Sequence, residues 1–302
     1  MPSMKLNSFL KEFIVMTKPK VWVFLLITGI AGLLFAMAIT KRIQPLDMIY
    51  IVAYLTAGLM GSESLSNYID MDIDKKMKRT MDRALPAGRL KPSTALIGGL
   101  ILIVITLIMS YRQSLLSFIF MSTGIFDYVI IYALLTKRKT WLNIILGAYS
   151  GGAPLLAGYT ALTDQFNFII ITWFLIIMIW TPLHIWALSV KYRDDYKNAG
   201  VPMLPVIIPI EKTVKVLFVV ALGTAIITVV SAIISLDFFP KYLAYLDLSM
   251  SILMSAFIII AYIRASGNPE KNIMRLFIVS NIFIGFFFLM VSVISLIMLI
   301  FP

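Results

Sequence analysis

Long apolar stretches alternate with short polar breaks along the whole chain. Each stretch is close to the roughly 20 residues that a helix needs to cross a hydrocarbon core of about 30 Å. Nine stand out, at about 21–39, 46–65, 94–111, 115–135, 141–162, 168–189, 214–235, 245–263 and 273–300. Most of the breaks between them are short, such as TKRIQP, YRQS, TKRKT, TDQFN, DFFPKY and RASGNPEKN. Two are much longer, Ser62–Pro92 and Lys191–Pro205, and they follow the second and sixth stretches. Glycine and proline are scattered rather than gathered into a linker, so a single domain over residues 1–302 is expected. The pattern predicts an all-α integral membrane protein of about nine transmembrane helices.

Composition agrees with the pattern. Only 14% of the 302 residues are charged and 60% are hydrophobic, with a mean hydropathy of +0.95, whereas soluble domains carry about 25% charged residues. The chain has no cysteine, which excludes disulfides, thiolate metal centres and cysteine nucleophiles. Its first 20 residues hold four lysines and no long apolar core, unlike a cleaved signal peptide, so the first apolar run is expected to stay in the membrane.

Charge then orients the helices. With the N-terminus inside, 22 of the 26 Lys and Arg residues fall on the cytoplasmic side, and only Lys41, Arg42, Arg112 and Lys241 fall opposite. Cytoplasmic loops are enriched in these residues. This asymmetry supports the nine-span count and places both long polar loops in the cytoplasm, in a prokaryotic cell membrane. The net charge of +11 suits anionic lipid head groups beside the spans and calls for no nucleic-acid partner.

The first loop mixes Asp70, Asp72, Asp74 and Asp82 with Lys75, Lys76, Lys78, Arg79, Arg83, Arg89 and Lys91. No Pro or Gly interrupts Ser62–Arg83, so the second helix is expected to continue into it. Glu63, Asn67, Asp70 and Asp74 then fall on one face, with Asp72 pointing away. Crowded carboxylates repel one another unless a cation relieves them. Mg²⁺ accepts one or two carboxylates and completes its shell with water or phosphate oxygens, and the neighbouring Lys and Arg suit a diphosphate. A solvated loop is the alternative reading of the same charges. The second loop repeats the theme with Lys191, Arg193, Asp194, Asp195 and Asn198, interleaved with Tyr192 and Tyr196.

Two longer motifs sharpen this picture. NYIDMDIDKKMKRTMDRALPAG in the first loop and WTPLHIWALSVKYRDDYKNAGVPMLPV around the second resemble the signature segments of the UbiA superfamily of intramembrane prenyltransferases, and within it the protoheme IX farnesyltransferase branch. Weaker similarities lie at TKPKVW and at 137–159, so the likeness runs from about Lys18 to Val206. Ser66 stands where the wider superfamily has Asn, Lys191 where it has the first Asp of its second motif, and Leu183 and Ile185 replace Pro and Phe around His184.

The resemblance implies a UbiA-like helical bundle that moves a farnesyl or related prenyl group from an allylic diphosphate to a vinyl group of haem B, with Mg²⁺ as cofactor. It implies Asp70, Asp74, Asp194, Asp195 and Lys191 as catalytic, and Asn67, Asp70, Asp74, Asp194 and Asp195 as metal ligands. Lys75, Arg79, Arg83, Lys191 and Arg193 would contact diphosphate. His184, Asp127, Asn143, Trp180 and Trp186 are candidates for the haem side, with Tyr149, Phe126 and Tyr132 as further aromatic lining. Haem-handling or oxidase-assembly proteins are the expected partners. An aromatic quinone precursor or a lipid as acceptor is the alternative within the fold, and a polytopic transporter or cation-binding protein is the alternative outside it.

Overall fold

The computed structural model describes residues 6–43 and 45–301. The extreme N-terminal tail, including Lys5 of the orientation argument, therefore lies outside the described residues. Within them the chain is helical. α1 (Leu6–Met16) precedes α2 (Pro19–Thr40) and α3 (Pro45–Ile69), and a single turn, α4 (Met71–Asp74), follows. α5 (Pro92–Gln113) and α6 (Leu115–Phe126) come next, and α6 runs directly into a π-helical segment, Asp127–Thr136. Then follow α7 (Asn143–Leu146), α8 (Ala148–Thr163), α9 (Phe168–Lys191), α10 (Arg193–Asn198) and α11 (Leu204–Ile207). α12 (Ile210–Ile234), α13 (Lys241–Gly267) and α14 (Pro269–Ile300) complete the chain.

Local chemistry sets many of these boundaries. Proline opens α2, α5 and α14, where its missing N–H costs nothing. Ser114 and Asn167 cap α6 and α9 by accepting from the backbone N–H groups of Ser117 and Ile170. Among the described residues eight helical segments are long and apolar enough to cross a membrane, and the protein is a multi-pass integral membrane protein. Eight of the nine expected spans correspond to them with ends displaced by at most a few residues.

The fifth expected span differs. Residues 141–162 do not form one helix but divide at Gly147 into α7 and α8. α8, with 16 residues, is about 24 Å long. A Cβ at Gly147 would lie 2.7 Å from the Tyr132 side chain, so the break is where the π-helical segment presses in. Hydropathy averages over such a break and cannot register it.

The membrane-length helices and the shorter α8 pack in a closed ring, each against the next in chain order, with α14 returning to α2. α2 also packs across against α8, and α9 against α14. Backbone meets backbone at the α2–α8 crossing. A Cβ on Gly158 would lie 2.1 Å from the Gly29 carbonyl oxygen, and one on Gly32 would lie 2.2 Å from that of Leu155. Small residues at membrane helix contacts allow this approach. Hydroxyls add polar ties, with Tyr54 to Ser117 at 2.7 Å and Ser117 to the Ala157 carbonyl at 2.9 Å.

α1 lies outside the ring. Phe9 and Phe13 pack on Ala84, Leu85, Leu90 and Ala95 of the first polar loop and the start of α5, while Leu6, Leu10, Ile14 and Val15 are exposed. Glu12 pairs with Arg89 at 3.2 Å. The helix thus fastens the loop from outside, its second apolar face suited to the membrane interface.

The α2–α8 crossing gives a direct check. Gly158→Ala should destabilise the protein by ~1–3 kcal/mol, seen as a lower unfolding midpoint in detergent, whereas Gly267→Ala, which meets no atom within 4 Å, should leave the midpoint unchanged. Identical midpoints would remove the crossing as a determinant of stability.

Candidate functional site

α3 carries its acids inward as it reaches the polar end of the bundle. Glu63, Asn67, Asp70 and Asp74 are all buried, whereas Asp72 is exposed and paired with Arg138 at 2.6 Å. The helix does not continue to Arg83 as expected. It ends at Ile69 and resumes for one turn, yet the Asp74 N–H still donates to the Asp70 carbonyl at 2.8 Å, so the helical face persists as far as Asp74.

Glu63, Asp70 and Asp74 each have a cation drawn from elsewhere in the chain. Lys18 meets Glu63 at 2.9 Å, Arg83 meets Asp74 at 2.9 Å, and Lys137 meets Asp70. Ser66 also donates to Asp70 Oδ2, at 3.3 Å. The other carboxylate oxygen, Asp70 Oδ1, is buried without a partner. Asn67 spends its amide N–H groups on the carbonyls of Met16 and Glu63.

These residues border a cavity of about 520 Å³. Asp70, Asp74, Arg79, Arg83, Lys137 and Tyr196 line its polar end, and Lys18, Lys20 and Glu63 line it beside α2. Deeper lining includes Tyr128, Tyr132, Trp180, His184 and Phe277. Tyr128 stacks on Tyr132 with centroids 5.7 Å apart, and the Lys137 ammonium lies 5.2 Å from the Tyr132 ring. His184 is sandwiched between Trp180 (4.6 Å) and Phe277 (4.4 Å), and its Nδ1 is 3.1 Å from Ser280 Oγ. An apolar chamber with cations and carboxylates at one end is suited to a ligand with an anionic head and an oily or flat aromatic body.

Comparison with known proteins decides what kind of chamber it is. A model of the UbiA prenyltransferase family matches residues 25–284. The chain belongs to the UbiA prenyltransferase family. It is 37% identical to Protoheme IX farnesyltransferase 1 of Picrophilus torridus, with 95% of each chain covered. To the Protoheme IX farnesyltransferase of Thermoplasma volcanium it is 34% identical, over 92% of this chain and 95% of that one. The fold is shared with a digeranylgeranylglyceryl phosphate synthase (TM-score 0.76, 18% identity, 95% of this chain and 98% of that one). A UbiA homolog from Archaeoglobus fulgidus bound to DMAPP and Mg²⁺ shares it too, with a TM-score of 0.70, 16% identity, and 93% and 99% of the two chains covered. The protein is thus a prenyltransferase.

The UbiA chamber draws together only part of the residue set singled out in the sequence. Asp70, Asp74, Arg79, Arg83, Tyr132, Trp180 and His184 line it; Lys75, Lys191, Arg193, Asp194 and Asp195 do not. α10 begins at Arg193, with exposed Asp194 and half-buried Asp195 in its first turn, while Tyr192 and Tyr196, one turn apart, meet Arg79 of the first loop. Arg79 lies over both rings, 4.8 and 5.6 Å from their centroids, and donates to the Tyr196 hydroxyl at 3.1 Å. Of this loop it is Tyr196 that lines the cavity. Among the described residues no group of three or more acids, histidines or cysteines converges as a metal cluster. Arg193 instead ties its own loop by donating to the Pro205 carbonyl at 2.6 Å.

The remaining candidates support the site from behind. Asp127 accepts from the Ser150 N–H at 2.9 Å and so anchors the first turn of α8. Asn143 donates to the Thr140 carbonyl at 2.7 Å, bracing the turn after Lys137. Trp186 is buried against Trp141, Phe126 is exposed on the outer face, and Tyr149 bonds Thr123 at 2.7 Å. The sequence reading missed Lys137. It belongs to a basic run after a helix, which looks like an orientation signal, and only the π-helical register turns it inward.

Burial alone would lower the Lys137 pKa, but the Tyr132 and Asp70 oxygens facing it reverse this and raise it. A lysine with a raised folded-state pKa contributes stability that is complete below the unfolded value of about 10.4 and is lost only as pH climbs through the folded value. Unfolding midpoints should therefore show no loss from this pair between neutral pH and about 10.

Removing one partner of a buried pair leaves an uncompensated charge. Asp70→Asn should cost ~3–5 kcal/mol, and adding Lys137→Met should recover most of it, measured by unfolding in mixed micelles. Additive losses in the double variant would rule out the pairing.

Proposed function

We propose that this protein transfers a farnesyl or related prenyl group from its allylic diphosphate to a vinyl group of haem B, giving haem O and diphosphate. The observation that carries this reading is the chamber itself. Asp70, Asp74, Arg79, Arg83 and Lys137 gather at its polar end, and a histidine held flat between two aromatic rings faces its apolar part. The names of the relatives from Picrophilus torridus and Thermoplasma volcanium support the same acceptor.

The chemistry follows from charge. The C–O bond to diphosphate breaks as negative charge builds on the leaving group and positive charge on the allylic carbon. Arg79, Arg83 and Lys137 stabilise the former, in a site shielded from bulk water. Tyr132, Tyr128 and Trp180 give the latter an aromatic lining. The vinyl carbon bonds to the allylic carbon, and the adjacent porphyrin-stabilised cation takes up one water and releases one proton. His184, its Nδ1 occupied by Ser280, offers its other ring nitrogen to the acceptor.

A divalent metal fits this donor set. Asp70 Oδ1 is a buried oxygen with no partner, and Asp74 stands one helical turn away. Mg²⁺ is content with one or two carboxylates and takes the rest of its shell from phosphate and water. Asp70 and Asp74 would hold it with Asn67 beside them, and when bound it supplies further positive charge to the departing diphosphate. The Archaeoglobus fulgidus homolog binds Mg²⁺ together with DMAPP.

The whole chain acts as one transmembrane domain on this reading, with the N-terminus and both motif loops in the cytoplasm. Haem-handling or oxidase-assembly proteins receive the product. The segments assigned to that side do meet one another, through Lys18–Glu63, Arg89–Glu12, Arg138–Asp72 and Arg79–Tyr196.

Purified protein given haem B, farnesyl diphosphate and Mg²⁺ should yield a prenylated haem detectable by mass, and chelation of the metal should stop it. Turnover of aromatic quinone precursors in place of haem would move the acceptor within the family. Asp74→Ala should lower transfer by at least ~100-fold while the protein still elutes as the folded species, and near-normal turnover would overturn the metal assignment.

A further inference from the structure

Lys18 is held in an unusual way. Its backbone is left-handed, with φ 54° and ψ 66°, although it bears a full side chain and precedes Pro19. Both features disfavour that conformation, and strain of this kind persists where the surrounding structure demands it. The result is an ammonium brought to the cavity wall beside Lys20 and Trp22.

Its partner is already satisfied. Glu63 Oε2 accepts from Lys18 at 2.9 Å and Oε1 accepts from the Tyr128 hydroxyl at 2.8 Å. An ammonium has three N–H donors, and among the described residues this is the one side-chain bond that Lys18 makes. A pair that existed only to neutralise a buried acid would need neither a strained backbone nor a cation with donors to spare at a cavity wall. Glu63 of α3 lies seven residues before Asp70, about two turns or ~10 Å along the helical face that the two share. That span leaves room for a flat macrocycle between Lys18 and the diphosphate end.

We propose that Lys18, with Lys20 at the mouth, binds a carboxylate of the acceptor, and that Glu63 is the resident counter-charge that holds the ammonium in place and tempers its affinity. The proposal rests on haem B being the acceptor. Haem B carries two propionates on the edge opposite its vinyl groups, so anchoring that edge at Lys18 turns a vinyl group toward the allylic carbon. The interaction is a charge-assisted hydrogen bond at a partly buried site.

The test titrates the purified full chain with haem B and with haem B dimethyl ester, following the Soret band, without prenyl diphosphate. Glu63→Gln keeps an acceptor for Tyr128 and removes the competing charge, so it should bind haem B several-fold more tightly and the ester unchanged. Adding Lys18→Met preserves a neutral pocket and should weaken haem B binding by ~10-fold or more, again with the ester unchanged. Equal effects on haem B and ester, or no effect on either, would overturn the anchor while leaving the transfer reading intact. Failure of the unaltered protein to bind either porphyrin, with prenylation of another acceptor retained, would overturn both.

Discussion

Charge placed at membrane depth has to be compensated, and this constraint organises the functional end of the protein. α3 brings Glu63, Asp70 and Asp74 into surroundings where each is at most 5% exposed. An unpaired carboxylate there would carry a large desolvation penalty. Each is met by a cation from a different part of the chain: Lys18 before α2, Lys137 after the π-helical segment, and Arg83 within the first loop. The three pairs tie together segments that the helix ring leaves separate. Lys20 and Arg79 also line the chamber, so its polar lining carries more positive than negative charge, which suits a ligand that is anionic at one end.

The ring supplies the walls on which those pairs depend. The contact of Gly29 and Gly32 with Gly158 and Leu155 draws α2 onto α8, which fixes where the start of α2, and hence Lys18, can reach. Gly147 allows the π-helical segment close enough for Tyr128 and Tyr132 to stack inside the chamber. Packing and chemistry are thus coupled through backbone approach, with few large side chains taking part at these points.

Much of this was legible in the sequence because hydropathy is a one-dimensional property. A run of apolar residues long enough to cross a membrane declares itself, and so eight spans needed no structure. The stripe formed by Glu63, Asn67, Asp70 and Asp74 was legible because helical periodicity fixes relative direction over short distances. What stayed hidden depends on register or on three dimensions. The break at Gly147 leaves no mark on average hydropathy. α1 did not declare itself, because the first 20 residues carry four lysines and no long apolar core. In the second loop, residue type drew attention to Asp194 and Asp195, whereas the side chain that lines the cavity is Tyr196, buried on α10. Lys137 was counted for topology and not for chemistry.

The π-helical segment ties the position of one cation to the register of one stretch of backbone. Over Asp127–Thr136 the backbone closes its turns one residue later than an α-helix would, as the Lys137 N–H bonded to the Tyr132 carbonyl at 2.9 Å shows. Wide turns of this kind are rare and are frequent at functional sites. Here the turn ends with the Lys137 ammonium 5.2 Å from the Tyr132 ring and paired with Asp70. Each residue of an α-helix turns the chain by about 100°, so a change of one residue in this stretch would swing the ammonium away from both partners.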